Sequence, residues 1–317
     1  MSRNCTLGFS ILSFEQPSEH FICLLDKLVQ FPNAKIAIHH DKEQGGEFPS
    51  ELIQKYGLLM VESTYRTYWS HINNVLATIE TFELLFKQAP DIDWFLTITP
   101  ACYPIKPVAE IQYFYNTCAY DALIDMHPIG KSPQFEEIDR YQIRDFKYQP
   151  WLKVPFISKT FRFYWRTVRQ KVQAHPHPFL DENEPWQGSN WLSVNRKIVE
   201  RLLAADLKNG ELVKFYKKHI KATPNMHPCP QETVLQTFIA NQEDLKIDYN
   251  NYRYINWQGT KNWSPNNLTL DHFEEIRKSG AHWARKFNDY SKALRKQIDK
   301  NLTIESKNNS EKNRKYI

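Results

Sequence analysis

The sequence predicts an α/β fold in which a mixed sheet is flanked by helices within a single large domain. Short apolar stretches with β character alternate with amphipathic stretches along the first half of the chain, and no internal repeat interrupts that order. Strands that alternate with helices are typical of parallel pairing through helical crossovers. The length of 317 residues allows two average domains but also suits one large domain.

The elements of the first half are predicted from the spacing of apolar residues. After Trp69, seven apolar residues recur at intervals of three and four, which predicts an amphipathic helix. Pro17 and Ser18 favour the start of an earlier helix with Ser18 as its N-cap. Strands are predicted at Thr6 to Ser13, Lys35 to His39, Leu58 to Val61, Trp94 to Thr99 and Asp121 to Asp125. Ligands bind beyond the carboxyl ends of parallel strands, so residues 13–16, 39–42 and 99–106 are expected along one rim.

The second half is less regular. Residues 127–187 are rich in proline and aromatic residues and are predicted to form a long insertion, with a helix near 161–173. Beyond it we expect strands at 191–194 and 252–257, helices at 196–205 and 231–241, and a last ordered piece at 282–287. The α/β domain is therefore predicted to span residues 1–288. A solvated basic helix and a loose tail are predicted for residues 289–317.

The charge of the chain is concentrated at its C-terminal end. Lysine and arginine total 41 against 36 aspartates and glutamates, a net charge of +5. Residues 291–317 hold eight basic and three acidic residues, which leaves the rest of the chain neutral. A neutral body argues against a nucleic-acid-binding protein, whose phosphate contacts need a concentrated basic face. The basic tail is a candidate contact to an anionic membrane, because polybasic segments bind such surfaces.

Five dispersed cysteines, none with zinc-ligand spacing, suit a reducing compartment better than a disulfide scaffold. From the first residues of the sequence we expect no signal peptide, and no apolar run is long enough to cross a membrane. We therefore expect a cytoplasmic protein, with the tail as a candidate peripheral contact to the inner face of the membrane. No glycine-rich phosphate loop is present among the 9 glycines.

The strongest candidate for acid–base chemistry is Glu232, which follows a proline-rich turn and opens a predicted helix. In that place it is either a favourable charge near a helix N-terminus or a fixed general base at the mouth of a cleft. Arg253 and the pair Arg285 and Lys286 lie among aromatic residues on strand-like pieces. These cations either pack at the surface or clamp an anionic group.

Other candidates are weaker. Asp91 and Asp93 could be an acidic metal pair, but they precede their strand and should face the wrong edge, so we favour a solvated turn. His39 and His40 are adjacent on a strand and point to opposite faces, so both cannot bind one ion. One or two of five tryptophans are candidate sugar-stacking platforms: Trp69, Trp186, Trp191, Trp257 and Trp263.

Four segments carry a resemblance to a known family: DWFLTITPACYPIK at 93–106, GSNWLSVNRKIVERLL at 188–203, PCPQETVLQTFI at 228–239, and YRYINW at 252–257 followed by WARKF at 283–287. In this order, over residues ~6–288, the chain resembles the core-2/I-branching N-acetylglucosaminyltransferases and the related peptide O-xylosyltransferases. The resemblance implies a GT-A type, Rossmann-like mixed sheet. It also implies an inverting, metal-independent glycosyltransferase, with a UDP-sugar donor and no cofactor.

The resemblance also implies roles for individual residues. Glu232 matches the catalytic base, Arg253 and Lys286 match the cations that bind the donor diphosphate, and Asp41 matches an acidic residue of the nucleotide pocket. Ser189, Asn190 and Trp191 match a segment that lines the sugar and acceptor cleft. The chain departs from the family at Cys102, where aspartate is usual.

The implied chemistry is physically coherent. Negative charge grows on a departing diphosphate, and fixed cations can stabilise it in place of a metal ion. A base is needed to take the proton of the attacking hydroxyl of a glycan or glycoconjugate acceptor. Inversion would give a β-linked product, with N-acetylglucosamine, xylose and glucuronic acid all compatible as the transferred sugar. The alternatives are a catalytically idle glycan- or nucleotide-sugar-binding protein on the same scaffold and, more weakly, a glycosidase, for which no second carboxylate is nominated.

Overall fold

A seven-stranded mixed sheet forms the centre of this protein, for which we have a computed structural model. The structure describes residues 3–62, 65–129, 183–210, 213–217, 229–260 and 264–314. In spatial order the sheet runs β3, β2, β1, β4, β7, β6, β8. The strands are β1 Thr6–Ser13, β2 Lys35–His40, β3 Leu59–Val61, β4 Ile92–Ile98, β6 Ala122–Pro128, β7 Trp186–Asn195 and β8 Ile247–Asp248. The predicted mixed α/β fold is confirmed.

One half of the sheet is parallel and creates the expected rim. β1 pairs in parallel with β2 and β4, and β2 pairs in parallel with β3. Ser13 is in register with His40, and Ile11 with Ile98, so these strands end at the same edge. β7 then runs antiparallel to both β4 and β6, which makes the sheet mixed. Because Leu96 pairs with Ser193, the carboxyl end of β4 lies beside the middle of β7.

Helices cover both faces of the sheet. Ser18 caps α1, because its hydroxyl accepts a hydrogen bond from the Phe21 amide at 3.2 Å, as predicted. Side chains along β4 alternate: Phe95 packs against α4 and α6, whereas Trp94 and Leu96 pack in the core with α1 and α5. The helices are α1 Glu19–Leu28, α2 Lys42–Gly45, α3 Ser50–Tyr56, α4 Ile72–Gln88, α5 Val108–Thr117, α6 Arg196–Ala204, α7 Val234–Ala240, α8 Phe273–Lys278 and α9 Lys292–Arg314.

A second, three-stranded sheet holds the segments that the resemblance singled out. It consists of β5 (Cys102–Pro104), β10 (Trp283–Arg285) and β9 (Arg253–Ile255) in that order. The strand predicted over 252–257 is shorter than expected, and it belongs to this small sheet. Two hydrophobic cores lie on the two sides of the large sheet. One face of the small sheet packs on a third core, which includes Tyr103 and Ala284.

The C-terminal helix is partly integrated into the fold, so the prediction of a solvated helix was wrong for its first turns. Leu294 and Ile298 of α9 are buried in the third core. Asp299 accepts a hydrogen bond from the Tyr103 hydroxyl at 3.1 Å and pairs with Lys27 at 2.9 Å. The helix continues to Arg314 and so includes residues that were predicted to form a loose tail. The domain boundary at residue 288 stays a prediction.

The predicted insertion over 127–187 falls mostly outside the described residues, and the helix expected near 161–173 lies there entirely. Of this range only the end of β6, residue 129 and residues 183–187 are described. Within the part of the chain that the structure describes, no helix combines the length and apolarity needed to span a bilayer.

Candidate functional site

The small sheet places two arginines and a cysteine on one face. Arg285 lies directly opposite Cys102 across the β5–β10 pair, and Arg253 lies opposite Trp283 across the β9–β10 pair. Directly opposed residues share a face, and positions 283 and 285 share one by alternation. Cys102, Arg253 and Arg285 therefore project from the face opposite the one that carries Tyr103 and Ala284.

Arg253 is fixed by one bond and keeps unused donors. Its Nη2 donates to the carbonyl oxygen of Thr97, near the carboxyl end of β4, at 2.7 Å. Its Nε and Nη1 are buried and have no hydrogen-bond partner. Burial lowers the pKa of the guanidinium, and contact with the Cys102 thiol opposes that shift. Unused buried donors on a cation form a ready anion-binding group.

Arg285 is the second cation on this face. Its guanidinium carbon lies 3.9 Å from the centre of the Trp191 ring, a cation–π contact that fixes the plane of the group. Its Nε is also buried without a partner. Burial lowers the pKa of Arg285 to about 10, and the neighbouring Arg253 charge contributes to that shift. Two like charges are thus held close together.

Lys286 follows directly and completes a cluster of three cations. Its ammonium group donates to the hydroxyl of Ser264. Burial lowers the pKa of Lys286, as does the charge of Arg285. Among the described residues, no aspartate or glutamate forms an ion pair with Arg253, Arg285 or Lys286. We call these three residues the cationic cluster.

The predicted cleft segment at residues 189–191 lies against the cationic cluster. The hydroxyl of Ser189 accepts hydrogen bonds from the Trp191 amide at 3.1 Å and from Asn251 Nδ2 at 3.0 Å. The carbonyl of Asn190 accepts a hydrogen bond from Thr97 Oγ1 at 3.1 Å. Thr97 also binds Arg253 through its own carbonyl, so β4 and β7 together fix this wall of the site.

Glu232 lies in a 3-10 turn, Pro230–Glu232, rather than in the continuous helix predicted over 231–241. Cys229 before it has a φ of 43°, in the left-handed region, and its amide donates to Ser70 Oγ at 2.8 Å. α7 begins only at Val234, because Thr233 departs from helical geometry. The carboxylate is half-buried and sits in a turn that packs against α4 and β7.

Gln236 of α7 connects this turn to the cleft wall. Its Nε2 donates to the carbonyl of Ser189 at 2.8 Å and to the carbonyl of Gln231 at 3.2 Å. Gln231 immediately precedes Glu232. Glu232, the 189–191 segment and the cationic cluster are therefore joined by a continuous series of contacts.

Asp41 occupies the neighbouring strand end on the same rim, where its carboxylate is already engaged. It caps α2, accepting from the amides of Glu43 at 3.2 Å and Gln44 at 3.3 Å, and it accepts from the Thr67 amide at 2.7 Å. Burial raises the pKa of Asp41, but hydrogen bonds from Gln44 and Thr67 outweigh it and the net pKa is lowered. The contacts that are present make Asp41 a brace for the loop at 65–70, and its nucleotide contact stays a prediction.

Three residues of this site were missed or left unassigned by the sequence analysis. Arg285 was considered with Lys286 as a candidate anion clamp, but the resemblance gave a role only to Lys286. Asn251 and Gln236 carried no signal, because their importance lies in contacts between segments distant in sequence. The alternation within the strand at 283–285 could have indicated that Arg285 shares a face with Trp283.

The rejected metal candidates have structural partners. Asp93 pairs with Arg3 at 2.8 Å and accepts from the Thr6 amide at 2.7 Å, at the opposite edge of the sheet from the rim. His39 stacks on Tyr65, whereas His40 bonds to the Gly46 carbonyl at 3.0 Å. Across the ranges that the structure covers, no group of three or more His, Cys, Asp or Glu side chains could hold a metal ion.

Among the tryptophans, Trp191 supports Arg285 and Trp186 stacks on Tyr249 with ring centres 5.8 Å apart. Trp69 and Trp257 are about half exposed. Trp263 lies outside the described residues. The platform role stays a prediction.

The cationic cluster, the 189–191 segment and the Glu232 turn are joined by contacts near the carboxyl end of β4 in a mixed α/β domain. The sequence model of the family described as "Branch: Core-2/I-Branching enzyme" matches residues 8–277. Because this match covers most of the chain, the protein belongs to the core-2/I-branching enzyme family. The resemblance carried by the four segments is confirmed at the level of the family.

Three proteins of Arabidopsis thaliana are similar to this chain. Beta-glucuronosyltransferase GlcAT14B is 23% identical over 288 residues, which cover 87% of this chain and 61% of that protein. For GlcAT14A the identity is 22%, covering 86% and 59%, and for GlcAT14C it is 21%, covering 83% and 65%. The chain thus spans about three fifths of the length of these relatives. They are named for glucuronosyl transfer rather than for N-acetylglucosaminyl or xylosyl transfer.

Proposed function

We propose that this protein is an inverting glycosyltransferase that moves a sugar from a UDP-sugar to a hydroxyl of a glycan or glycoconjugate acceptor. The observation that carries the proposal is the cationic cluster, in which Arg253 and Arg285 keep buried, unpartnered N–H groups beside the carboxyl end of β4. Ligands of open α/β sheets bind at that edge. Membership of the core-2/I-branching enzyme family supports the same reaction class.

The cationic cluster stabilises the leaving diphosphate in this mechanism. As the bond between the sugar and the diphosphate breaks, negative charge grows on the phosphate oxygens. Guanidinium groups offer parallel N–H donors to those oxygens, and the Lys286 ammonium adds a point charge. Because these cations are fixed before the reaction, they stabilise the transition state without reorganising. We propose on this basis that transfer needs no divalent metal ion.

Glu232 acts as the general base. The attacking hydroxyl is a poor nucleophile until its proton is removed, and a positioned carboxylate contributes about 10²–10⁴-fold to such a step. Glu232 is half-buried in a turn held by Ser70 on one side and by Gln236 on the other. Attack from the face of the sugar opposite the diphosphate inverts the anomeric carbon and forms a β-linkage from an α-linked donor.

The donor sugar and the compartment are further parts of the proposal. N-acetylglucosamine, xylose and glucuronic acid are the sugars compatible with the sequence resemblance, and the names of the plant relatives support glucuronic acid among them. Asp41 is proposed to contact the nucleotide, and Ser189, Asn190 and Trp191 to line the sugar cleft. All five cysteines are free, which supports a cytoplasmic location.

The test of the proposal is the Glu232→Gln variant, assayed for UDP release and product formation with a panel of UDP-sugars. We expect transfer to fall by about 10²-fold or more while donor affinity is retained, because glutamine keeps the shape but cannot take a proton. Glu243→Gln, which changes an exposed carboxylate after α7, is the matched control. Unchanged turnover in Glu232→Gln would remove the base assignment.

The second candidate is a catalytically idle protein that binds nucleotide sugars or glycans. The observation that favours it is Cys102, which faces the cationic cluster where the family usually carries aspartate. Donor binding without UDP release from any acceptor or from water would support this candidate.

A further inference from the structure

Two aromatic rings form a stacked pair at the start of β7. The rings of Trp186 and Tyr249 are nearly parallel, with an angle of 12° between their planes and 5.8 Å between their centres. Trp186 is the first residue of β7, and Tyr249 directly follows β8. Tyr249 is 54% exposed although Trp186 covers one face of its ring, so the other face is open to solvent. We call these two residues the aromatic pair.

Hydrogen bonds on one side attach the aromatic pair to the helix that follows Glu232. The amide of Trp186 donates to Thr237 Oγ1 at 3.0 Å, and that hydroxyl donates to the carbonyl of Trp186 at 3.2 Å. Two residues earlier, the amide of Glu184 donates to Asn241 Oδ1 at 2.9 Å, and its carbonyl accepts from Asn241 Nδ2 at 2.8 Å. The start of β7 is therefore held along α7, the helix that begins just after the Glu232 turn.

On the other side, the aromatic pair is attached to the segment that is proposed to line the sugar cleft. Asn251, two residues after Tyr249, donates from Nδ2 to the Ser189 hydroxyl at 3.0 Å. Asn251 is buried, so this bond is shielded from water. Asn250 between them is exposed, and its side-chain amide is of a kind that bonds to hydroxyl groups. An open tyrosine ring beside an exposed amide suits a sugar, which presents both a C–H face and hydroxyl groups.

The spacing along β7 separates the aromatic pair from the donor. A strand rises about 3.3 Å per residue, which places Trp186 roughly 16 Å from Trp191 along β7. Trp191 contacts Arg285, one of the cations that are proposed to bind the donor diphosphate. One sugar ring cannot bridge this span, whereas a short chain of sugars can. A sugar bound at the aromatic pair is therefore not the transferred sugar but a distant unit of the acceptor.

We propose that the aromatic pair is a remote subsite for the acceptor, and that the acceptor is accordingly an oligosaccharide or a longer glycan chain. One ring of that chain packs on the open face of Tyr249, while the attacking hydroxyl lies several sugar units away, at the donor. This inference rests on the function proposed above and assigns the class of its acceptor. Rigid aromatic rings provide a large contact area at little entropic cost, so the subsite favours long acceptors over short ones.

The experiment measures how the KM for the acceptor depends on acceptor length in the full chain. The probes are β-linked gluco-, xylo- and galacto-oligosaccharides of one to six units, each assayed with the UDP-sugar that supports UDP release. In the best series we expect the KM for the one-unit acceptor to exceed that for the six-unit acceptor by at least about tenfold. We call this quotient the length ratio. A KM that does not fall with length in any series would overturn the inference.

Variants of two exposed tyrosines test the assigned residue. Tyr249→Ala removes the open ring and should reduce the length ratio by at least about fivefold, because the lost contact weakens long acceptors more than short ones. Tyr249→Phe keeps the ring and should keep the length ratio. Tyr113→Ala, at an exposed tyrosine of α5, is the matched control and should also keep it.

The length ratio separates a binding role of Tyr249 from a structural one. A general loss of activity or stability affects short and long acceptors alike and cancels in the quotient, and thermal melts establish that each variant is folded. An undiminished length ratio in Tyr249→Ala would contradict the subsite. A length ratio lost in Tyr249→Phe would contradict stacking on the ring, because that change removes the hydroxyl alone.

Failure of this inference differs from failure of the proposed function. If sugar is transferred but the length ratio is the same in Tyr249→Ala and wild type, the glycosyltransferase proposal survives and the subsite is wrong. If no UDP-sugar is turned over, the six-unit oligosaccharides are titrated by calorimetry into both proteins. Binding to the wild type that Tyr249→Ala weakens would keep the glycan subsite without the transferase, and equal or absent binding would remove both proposals.

Discussion

Gln236 donates a hydrogen bond to the carbonyl oxygen of Ser189 at 2.8 Å, which joins the helix after Glu232 to the wall of the cleft. The same amide group donates to the Gln231 carbonyl at 3.2 Å. Gln236 is buried, so these bonds are shielded from water and hold their geometry. Gln236 thus fixes the position of the proposed base, Glu232, relative to the 189–191 segment, although Gln236 itself takes no part in the proposed reaction.

Replacing Gln236 with leucine should slow transfer more than it weakens donor binding. The change removes both bonds and leaves two buried carbonyls without this donor, a loss of about 1–3 kcal/mol in the free energy of unfolding. Steady-state kinetics should show kcat reduced by tenfold or more with KM for the donor within about threefold, since misplacement of a base affects the chemical step. Gln30→Leu, at the exposed end of α1, is the control. A variant that loses stability but keeps kcat would show that Gln236 has only a structural role.

Removal of divalent metal ions should leave transfer unchanged. The cationic cluster supplies the positive charge that a metal ion provides in other nucleotide-sugar enzymes. The measurement is the initial rate in excess EDTA and again after addition of Mn²⁺ or Mg²⁺. Loss of activity in EDTA that either ion restores would contradict the proposed role of the cationic cluster.

Stability should decline with acid between about pH 6.5 and pH 4 because of His20. Burial between Tyr103 and Phe287 lowers the pKa of His20 from 6.5 to about 4, so the folded protein holds it neutral while the unfolded chain takes up a proton. Its contribution is fully present above pH 6.5 and is lost as the pH falls towards 4, at up to ~1.4 kcal/mol per pH unit. Chemical denaturation across this range should show a shallower decline for His20→Gln, and an equally steep decline would contradict the assignment.

The first turns of α9 should be essential for stability. Leu294 is fully buried in the core that also holds Tyr103 and Phe287. Leu294→Ala should lower the free energy of unfolding by about 2–5 kcal/mol, through lost burial and the cavity that remains. The control is Lys296→Ala, on an exposed position of the same helix. A change below 1 kcal/mol in the leucine variant would mean that α9 does not anchor to the body in solution.

We expect the basic C-terminal end of the chain to be the part of the protein that binds anionic membranes. Truncation after Thr303 removes four basic and two acidic residues and leaves Leu294 and Ile298 in place. We expect the truncated protein to melt within about 2 °C of the full chain but to lose sedimentation with vesicles that contain anionic lipid. Each basic residue near such a surface contributes ~1 kcal/mol. Absence of binding by the full chain would rule out the peripheral contact.

Local patterns predicted the elements that form from contiguous apolar runs. β1 occupies the residues expected, and Ser18 caps α1 as expected, because both depend on a few neighbouring side chains. The turn at Pro230–Glu232 was predicted as the start of a helix. Its geometry depends on the left-handed Cys229 and its bond to Ser70, a residue more than 150 positions earlier. Contacts of that kind leave no periodic signal in the sequence.

The α/β class, the rim at the ends of the parallel strands and the family could be predicted from the order of the amino acids, because strand and helix periodicity and the four segments are local properties. Which cations meet depends instead on how distant segments pack in the folded chain. Arg285 rather than Lys286 faces Cys102, since strand alternation and the pairing of three segments distant in the chain select the shared face. The charge of a single residue can be read from its letter, but the net charge of a cleft depends on which side chains folding brings within a few ångströms of one another.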